Sequence, residues 1–110
     1  MVAKRSARVL PFRLPASKAQ AIIRKRAIVT KNVILGWHAK ERCLERGISK
    51  DDVLRILRLG FVSGEPSKTE RGEWKCKVTK QLRGTREAAA ITIILHGQAL
   101  FIKTVEWEDL

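Results

Sequence analysis

The stretch WHAKERCLERGISKDDVLRILRLG, Trp37–Gly60, predicts two helices joined end to end, and the rest of the chain can be placed around them. Its first half, up to Arg46, consists of good helix formers, and Gly47 stands where a left-handed C-terminal cap belongs. Ser49 can cap the next helix, and two aspartates after it face the positive end of the helix dipole. The sequence therefore predicts one helix that ends at Arg46 and another that begins at Ser49 and closes at Gly60.

The flanking segments predict one more helix and several strands. Apolar residues at helical spacing predict a short amphipathic helix from Ala16 to about Arg26, and the β-branched run Ile28–Leu35 predicts a strand. Downstream, a polar loop is expected over 64–72. Alternating segments separated by turn residues predict an antiparallel meander with strands at Phe61–Ser63, Glu73–Leu82, Glu87–His96 and Ala99–Trp107. This order predicts an α+β domain in which N-terminal helices pack on a small antiparallel sheet.

A chain of 110 residues is long enough for one hydrophobic core and too short for two. Residues 1–14 lack apolar periodicity, and Pro11 and Pro15 hold this part of the chain out of a helix. We therefore expect a basic N-terminal arm over 1–14 and a single α+β domain over 15–110.

The net charge of +12 is distributed unevenly along the sequence. Residues 1–40 contain ten lysines and arginines and no acidic residue, whereas the remainder has thirteen basic and eleven acidic residues. A polyanion would relieve the repulsion among these cations and release counterions on binding, so the pattern favours nucleic acid as the partner. Solubility alone, an acidic protein, an anionic lipid surface and an organellar transit peptide are the alternatives. Pro11 and Pro15 argue against a transit peptide, because they interrupt the helix that such peptides need.

The cysteines and histidines are few and are not spaced as metal ligands. Cys43 and Cys76 each lie in a periodic segment where a small apolar residue would serve, which predicts buried thiols, with a disulfide between them as the alternative. His38 and His96 lack the close Cys/His spacing of zinc sites, so we expect no metal and no other cofactor. The absence of a long apolar run or secretory segment predicts a cytoplasmic protein that makes no membrane contact.

One face of the first central helix carries groups suited to RNA cleavage. His38, Arg42 and Arg46 follow at steps of four residues and fall within about 80° of one another around the helix axis. Histidine can accept a proton near neutral pH, and arginine remains charged and fits phosphate oxygens. A base and fixed positive charge are what RNA transesterification needs. The alternative is a solvated helix face on which Glu45 pairs with a neighbouring arginine.

The same stretch resembles the signature of a bacterial family known only as domain of unknown function 4258. That signature is His-Ala, two residues, Arg, three residues, Arg-Gly-Ile-Ser, then an acid, Val and a later Gly. In this chain the matching residues are His38, Ala39, Arg42, Arg46, Gly47, Ile48, Ser49, Asp52, Val53 and Gly60. The resemblance continues weakly to IKTVEW, Ile102–Trp107. The order of elements is more distantly similar to the small RNA-cleaving toxins of bacterial toxin–antitoxin pairs, with their RelE-like and barnase-like (microbial-RNase-like) folds.

The resemblance implies a metal-independent endoribonuclease with a basic cleft between the sheet face and the His38 helix. His38, Arg42 and Arg46 would be catalytic, and His38 would transfer the proton because the chain lacks the tyrosine that such toxins often use. The cations expected to bind nucleic acid are Lys75, Lys77 and Lys103 on the strands and Arg24, Lys25 and Arg26 in the first helix.

The implied partners are RNA, with ribosome-bound mRNA as one candidate form, and an acidic antitoxin protein that covers the basic surface. A non-catalytic nucleic-acid-binding or regulatory module is the alternative function. The three tryptophans, Trp37, Trp74 and Trp107, are expected to be buried rather than to stack on bases.

The charge distribution generates a first prediction. RNA binding should weaken steeply as salt is added. Deleting residues 1–14 should flatten the slope of the logarithm of the binding constant against the logarithm of the salt concentration by roughly two to four units, because each phosphate contact contributes about 0.9 to this slope. Titrations at several salt concentrations measure this slope. An unchanged slope would show that the arm does not touch nucleic acid.

Overall fold

The computed structural model describes residues 13–109. Within this range there are three α-helices, which are α1 (Ala16–Ala27), α2 (Trp37–Arg46) and α3 (Lys50–Leu59). A single 3-10 turn covers Thr30–Asn32. The strands are β1 (Val33–Leu35), β2 (Phe61–Lys68), β3 (Trp74–Arg83), β4 (Arg86–Ile94) and β5 (Leu100–Trp107). None of the helices in residues 13–109 has the length and apolar character needed to cross a membrane.

The strands form one five-stranded sheet in the order β1-β5-β4-β3-β2. The four strands from β2 to β5 pair antiparallel, as the predicted meander requires, and the predicted α+β class is confirmed. The expectation of a purely antiparallel sheet is wrong at one edge, because β1 pairs parallel with β5. A parallel pair needs a long crossover connection, and here the chain from α2 to β4 provides it.

The helices pack against one face of this sheet. α1 contacts β2 and α3, α3 contacts β3 and β4, and α2 contacts β5. The sheet side chains buried on this helix-facing side include Cys76, Val78, Ala88, Ala90, Leu100 and Ile102. The opposite side, which we call the open face, carries partly exposed residues such as Lys75, Lys77, Ile91 and Ile93. The alternation predicted for β3, with lysines on one side and apolar residues on the other, is therefore confirmed.

Strand β5 contains a bulge. Its register against β4 shifts between Ile102 and Thr104, which leaves Lys103 as the extra residue. The buried side chains of β5 are two residues apart before and after the bulge but three apart across it, and they are Leu100, Ile102, Val105 and Trp107. The bulge therefore keeps all four side chains in the core, although strict alternation would turn the last two outward.

The strand predicted over Ile28–Leu35 is wrong in its first half. Only Val33–Leu35 forms a strand, and the 3-10 turn precedes it. Arg58, on α3, donates a hydrogen bond to the Ala27 carbonyl oxygen at 2.7 Å and to the Thr30 hydroxyl at 3.0 Å. These bonds hold the segment close to the end of α1, and the local sequence gives no sign of them.

The loop predicted over 64–72 is also shorter than expected, because β2 extends to Lys68. Pairing with β3 is interrupted between Ser63 and Ser67 and then resumes, with Ser67 opposite Lys75. Gly64, at a φ of 77°, lies within this interruption. Such an irregularity interrupts the alternation of polar and apolar residues, so the sequence does not show that the strand continues.

The corner between α2 and α3 is confirmed. Gly47 is left-handed with a φ of 64°, and the Ile48 N–H donates to the Cys43 carbonyl oxygen at 3.0 Å. The Ser49 hydroxyl accepts from the Asp52 N–H at 3.0 Å, while the Asp52 carboxylate accepts from the Ser49 N–H at 2.9 Å. This reciprocal capping box starts α3 immediately after α2 has ended.

The predicted basic arm lies outside the described residues up to position 12. Arg13 pairs with Glu65 at 3.2 Å, and Leu14 is 8% exposed and belongs to the hydrophobic core. A deletion that tests the arm without removing a core residue therefore stops at position 12.

The glycine at the helix corner generates a stability prediction. Gly47→Val should lower the free energy of unfolding by about 1 kcal/mol or more, because a β-branched residue resists the left-handed conformation. No atom lies within 4 Å of the position a Cβ would occupy, so the loss reflects backbone conformation rather than a clash. Gly47→Asn is the control, since asparagine tolerates this region and should lose clearly less. Urea unfolding of the three proteins measures both losses, and equal losses would contradict the explanation.

Candidate nucleic-acid interface

A cleft of about 740 Å³ opens where the open face meets the turn between β2 and β3. Four cations, Lys68, Arg71, Lys75 and Lys103, line it together with two carboxylates, Glu70 and Glu73. Its remaining lining is Thr69 and three apolar residues, Ile93, Leu95 and Phe101. We call this the open-face cleft, and it combines an excess of positive charge with an apolar floor.

The register of the sheet fixes how this lining is arranged. Lys75 on β3 lies opposite Ile93 on β4, which in turn lies opposite Phe101 on β5. The three side chains therefore form one row across the open face. Lys103 reaches the same cleft from the β5 bulge.

Several cations of the open-face cleft have no ion-pair partner among the described residues. Among residues 13–109, no carboxylate lies within ion-pairing distance of Arg71, Lys75 or Lys103. The Lys68 ammonium lies 5.3 Å from the centre of the Trp74 ring, a cation–π contact that leaves its charge in place. The cleft can therefore bind an anion without first breaking an ion pair.

A second cleft, of about 460 Å³, lies where α2 meets the end of β5, and we call it the Arg46 cleft. Its lining is Arg46, Lys77, Glu106, Trp107 and Glu108. The Lys77 ammonium is 2.6 Å from the Glu108 carboxylate, and this hydrogen bond raises the pKa of the lysine. Lys77 stays protonated, but much of its charge is balanced by the acidic residues around it.

The three residues predicted to be catalytic do not converge on one cleft. The His38 side chain is 70% exposed, with Nδ1 3.6 Å from the Glu41 carboxylate. Arg42 pairs with Glu45 at 3.0 Å, which is the ion pair expected on a solvated helix face. Arg46 lines the Arg46 cleft, whereas His38 and Arg42 line neither of the two clefts.

Arg46 also has a structural role. One of its N–H groups donates to the Val105 carbonyl oxygen at 2.9 Å, and the Trp107 indole donates to the Arg46 carbonyl oxygen at 2.9 Å. β1 pairs with β5 only as far as Ile102, and within residues 13–109 no other strand lies beside this part of the β5 edge. The guanidinium therefore satisfies a carbonyl group that the short β1 does not reach.

The arginines predicted as nucleic-acid ligands on α1 are engaged by backbone carbonyls. Arg24 donates to Gly60 at 2.7 Å and lies 5.2 Å from the centre of the Phe61 ring. Arg26 donates to Leu95 at 2.7 Å and also to Ala99. Lys25, between them, is exposed to solvent. Binding of nucleic acid by these residues stays a prediction, and the two arginines would have to share their donors with it.

The cysteines behave as the sequence predicts. Cys43 and Cys76 are buried and free, and burial raises the pKa of the Cys76 thiol to about 11. Burial also raises the pKa of Cys43. Both thiols are therefore protonated at neutral pH and are poor nucleophiles.

In the part of the chain that the structure describes, no three His, Cys, Asp or Glu residues are grouped so as to hold a metal ion.

The three tryptophans differ in how far they are buried. Trp107 is 5% exposed, and its ring lies 4.2 Å from the Arg86 guanidinium, so its burial is confirmed. Trp74 is partly buried against the core. Trp37 is 71% exposed, which is contrary to the expectation of burial. Trp37 is the first residue of α2.

Sequence reasoning identified Lys75 and Lys103 but missed Glu70, Arg71 and Glu73, which the structure places in the same cleft. These three residues follow each other closely in a polar segment, and nothing local distinguishes them from solvated loop residues. The spacing of three between Ile102 and Val105 was the available signal for the bulge that positions Lys103.

The chain matches no family model, no curated protein and no solved structure.

The contrast between Arg46 and Arg42 generates a prediction. Arg46→Ala should lower the free energy of unfolding by about 1 kcal/mol, because it leaves the Val105 carbonyl group without its donor. Arg42→Ala removes an exposed i,i+3 ion pair and should cost only a few tenths of a kcal/mol. Urea unfolding of both variants measures the difference. An equally small loss in the two would show that water replaces the Arg46 donor.

Proposed function

We propose that this protein is a metal-independent endoribonuclease of the toxin–antitoxin type that binds RNA across the open face of its sheet. The observation that supports this best is the open-face cleft, where Arg71, Lys75 and Lys103 have no ion-pair partner among residues 13–109. Uncompensated cations in a cleft favour a polyanion, since binding releases counterions and breaks no existing pair. The net charge of +12 favours the same class of partner.

RNA lying on the open face would come close to α2. Gly36, which precedes α2, is packed so closely on Phe101 that a Cβ at this position would collide with the phenyl ring. Phe101 lines the open-face cleft, so the apolar floor of the cleft adjoins the start of α2. His38 and Arg42 follow within that helix. This adjacency supports a cleavage site at the boundary between the cleft and α2.

The proposed reaction is intramolecular transesterification. The ribose 2′-hydroxyl attacks the adjacent phosphorus, its proton passes to the base, and the 5′-oxygen leaves with a proton from solvent. His38 is the candidate base because its imidazole is exposed and is paired only loosely with Glu41. Arg42 would stabilise the additional negative charge on the phosphorane after exchanging its exposed Glu45 partner for phosphate.

A non-catalytic RNA-binding module is the second candidate function. It is favoured by one specific observation, which is that His38 and Arg42 line neither cleft. Such a module would use the same cations and would bind RNA without cleaving it. We expect the protein to act in the cytoplasm under either function. An acidic protein partner, such as an antitoxin, would compete for the same basic surface.

Cleavage of a labelled RNA in the presence of EDTA tests the catalytic proposal. The wild-type protein should cut RNA but not DNA of the same sequence, because DNA lacks the 2′-hydroxyl. His38→Ala should reduce the rate by about 10² to 10⁴, which is the usual contribution of a general base. His96→Ala is the matched control, since His96 is the only other histidine and is also exposed.

The melting temperature of His38→Ala should match that of the wild type, since this side chain is 70% exposed. Expression of the same proteins in bacteria should arrest growth with wild type and with His96→Ala but not with His38→Ala. RNA binding without any cleavage would select the second candidate function. Cleavage that survives His38→Ala would remove His38 from the mechanism.

The cleft cations generate a separate prediction about binding. The double variant Lys75→Ala/Lys103→Ala should flatten the salt dependence of RNA binding by roughly one to two units, because each phosphate contact on a single strand counts about 0.7. Lys18→Ala/Lys50→Ala is the matched control, since these exposed lysines lie on α1 and α3, in the layer behind the sheet. Equal slopes for the two double variants would place the RNA elsewhere.

A further inference from the structure

The open-face cleft has a composition that phosphate binding alone does not require. Its cations suit the RNA backbone, but Ile93, Leu95 and Phe101 provide apolar surface beside them. A phosphate and a ribose gain little from apolar contact, whereas a nucleobase has a large apolar face that stacks on aromatic rings. The mixture of charge and apolar surface matches a complete nucleotide rather than a backbone contact.

The charged and apolar residues are arranged in order across the sheet, as the row Lys75, Ile93 and Phe101. Neighbouring strands are about 4.8 Å apart, so Lys75 on β3 and Phe101 on β5 are separated by about 10 Å across the sheet. A lysine side chain is long enough to cover most of this distance, so the Lys75 ammonium could meet the phosphate of a nucleotide whose base lies over Phe101. Lys103 lies two residues after Phe101 on the same strand and lines the cleft from the bulge.

Phe101 is held in place from behind. Gly36 packs against its ring, and the Gly36 N–H donates to the carbonyl oxygen of Ile102, the next residue, at 2.9 Å. The start of α2 therefore restricts the ring on the side where Gly36 lies. A fixed, partly exposed aromatic ring is suited to stacking because little side-chain freedom is lost on binding.

We propose that the open-face cleft binds one unpaired nucleotide, with its base against Phe101 and Ile93 and its phosphates at Lys75 and Lys103, so that the substrate is single-stranded RNA. This inference rests on the proposed function, and it adds the substrate class and the residues that select it. The bases of an A-form duplex are stacked inside the helix, and a duplex offers a protein mainly its backbone and shallow groove. A duplex therefore cannot reach the apolar floor.

The test uses a short 2′-O-methyl RNA, which cannot be cleaved by the 2′-oxygen, with one central 2-aminopurine. Fluorescence anisotropy measures the binding of this RNA as a single strand and again after it has been annealed to its complement. We expect the single strand to bind at least tenfold more tightly than the duplex. We also expect 2-aminopurine fluorescence to fall severalfold on saturation, because stacking on an aromatic ring quenches it.

Phe101→Leu keeps an apolar side chain against Gly36 and removes the aromatic face. It should weaken binding of the single strand by about fivefold or more, since stacking contributes roughly 1–3 kcal/mol per base, and it should restore part of the fluorescence. Phe61→Leu is the matched control, because Phe61 is an exposed phenylalanine at the start of β2 that does not line the cleft. The control should keep wild-type affinity and quenching.

Equal affinity for the single strand and the duplex, or unchanged fluorescence at saturation, would overturn the inference while leaving RNA binding intact. Both readouts come from the wild-type protein, so they decide the matter even if Phe101→Leu fails to fold. A protein that neither binds nor cleaves RNA would overturn the proposed function itself and the inference with it.

Discussion

Strand β5 is the element on which the other parts of this structure depend. It pairs with β1 on one side and with β4 on the other, and it packs against α2. Its four buried side chains lie on one face only because the bulge at Lys103 changes their spacing. Without the bulge, Val105 and Trp107 would face solvent, and the α2 contact with the Trp107 indole would be lost. The burial of these two residues therefore requires an irregular strand.

The same bulge links the core to the candidate interface. It leaves Lys103 at the open-face cleft, next to the row formed by Lys75, Ile93 and Phe101. The bulge thus determines both which β5 side chains pack against α2 and which of them line the cleft. A change that repacked the core at this point would also move a cation of the cleft.

The basic residues serve two different purposes. Arg24, Arg26, Arg46 and Arg58 donate to backbone carbonyl groups at element ends or at a strand edge, where regular secondary structure provides no partner. The lysines of the open face make few such bonds. These arginines keep their charge, but part of their donor capacity is used within the fold, so the location of a cation matters as well as the net charge of +12. The open-face cleft is where three cations meet that have no ion-pair partner within residues 13–109.

The sequence by itself determined the helices, the corner at Gly47 and the alternation of β3, because each depends on backbone preferences or side-chain periodicity within a few residues. It also identified Lys75 and Lys103 as open-face cations. The tertiary structure alone decided that β1 is parallel to β5, that Ile28–Leu35 begins with a turn, and that His38 lies outside the clefts. The reason is that these features depend on partners such as Arg58 and Phe101 that are distant along the chain, and local preferences carry no information about which distant groups will meet.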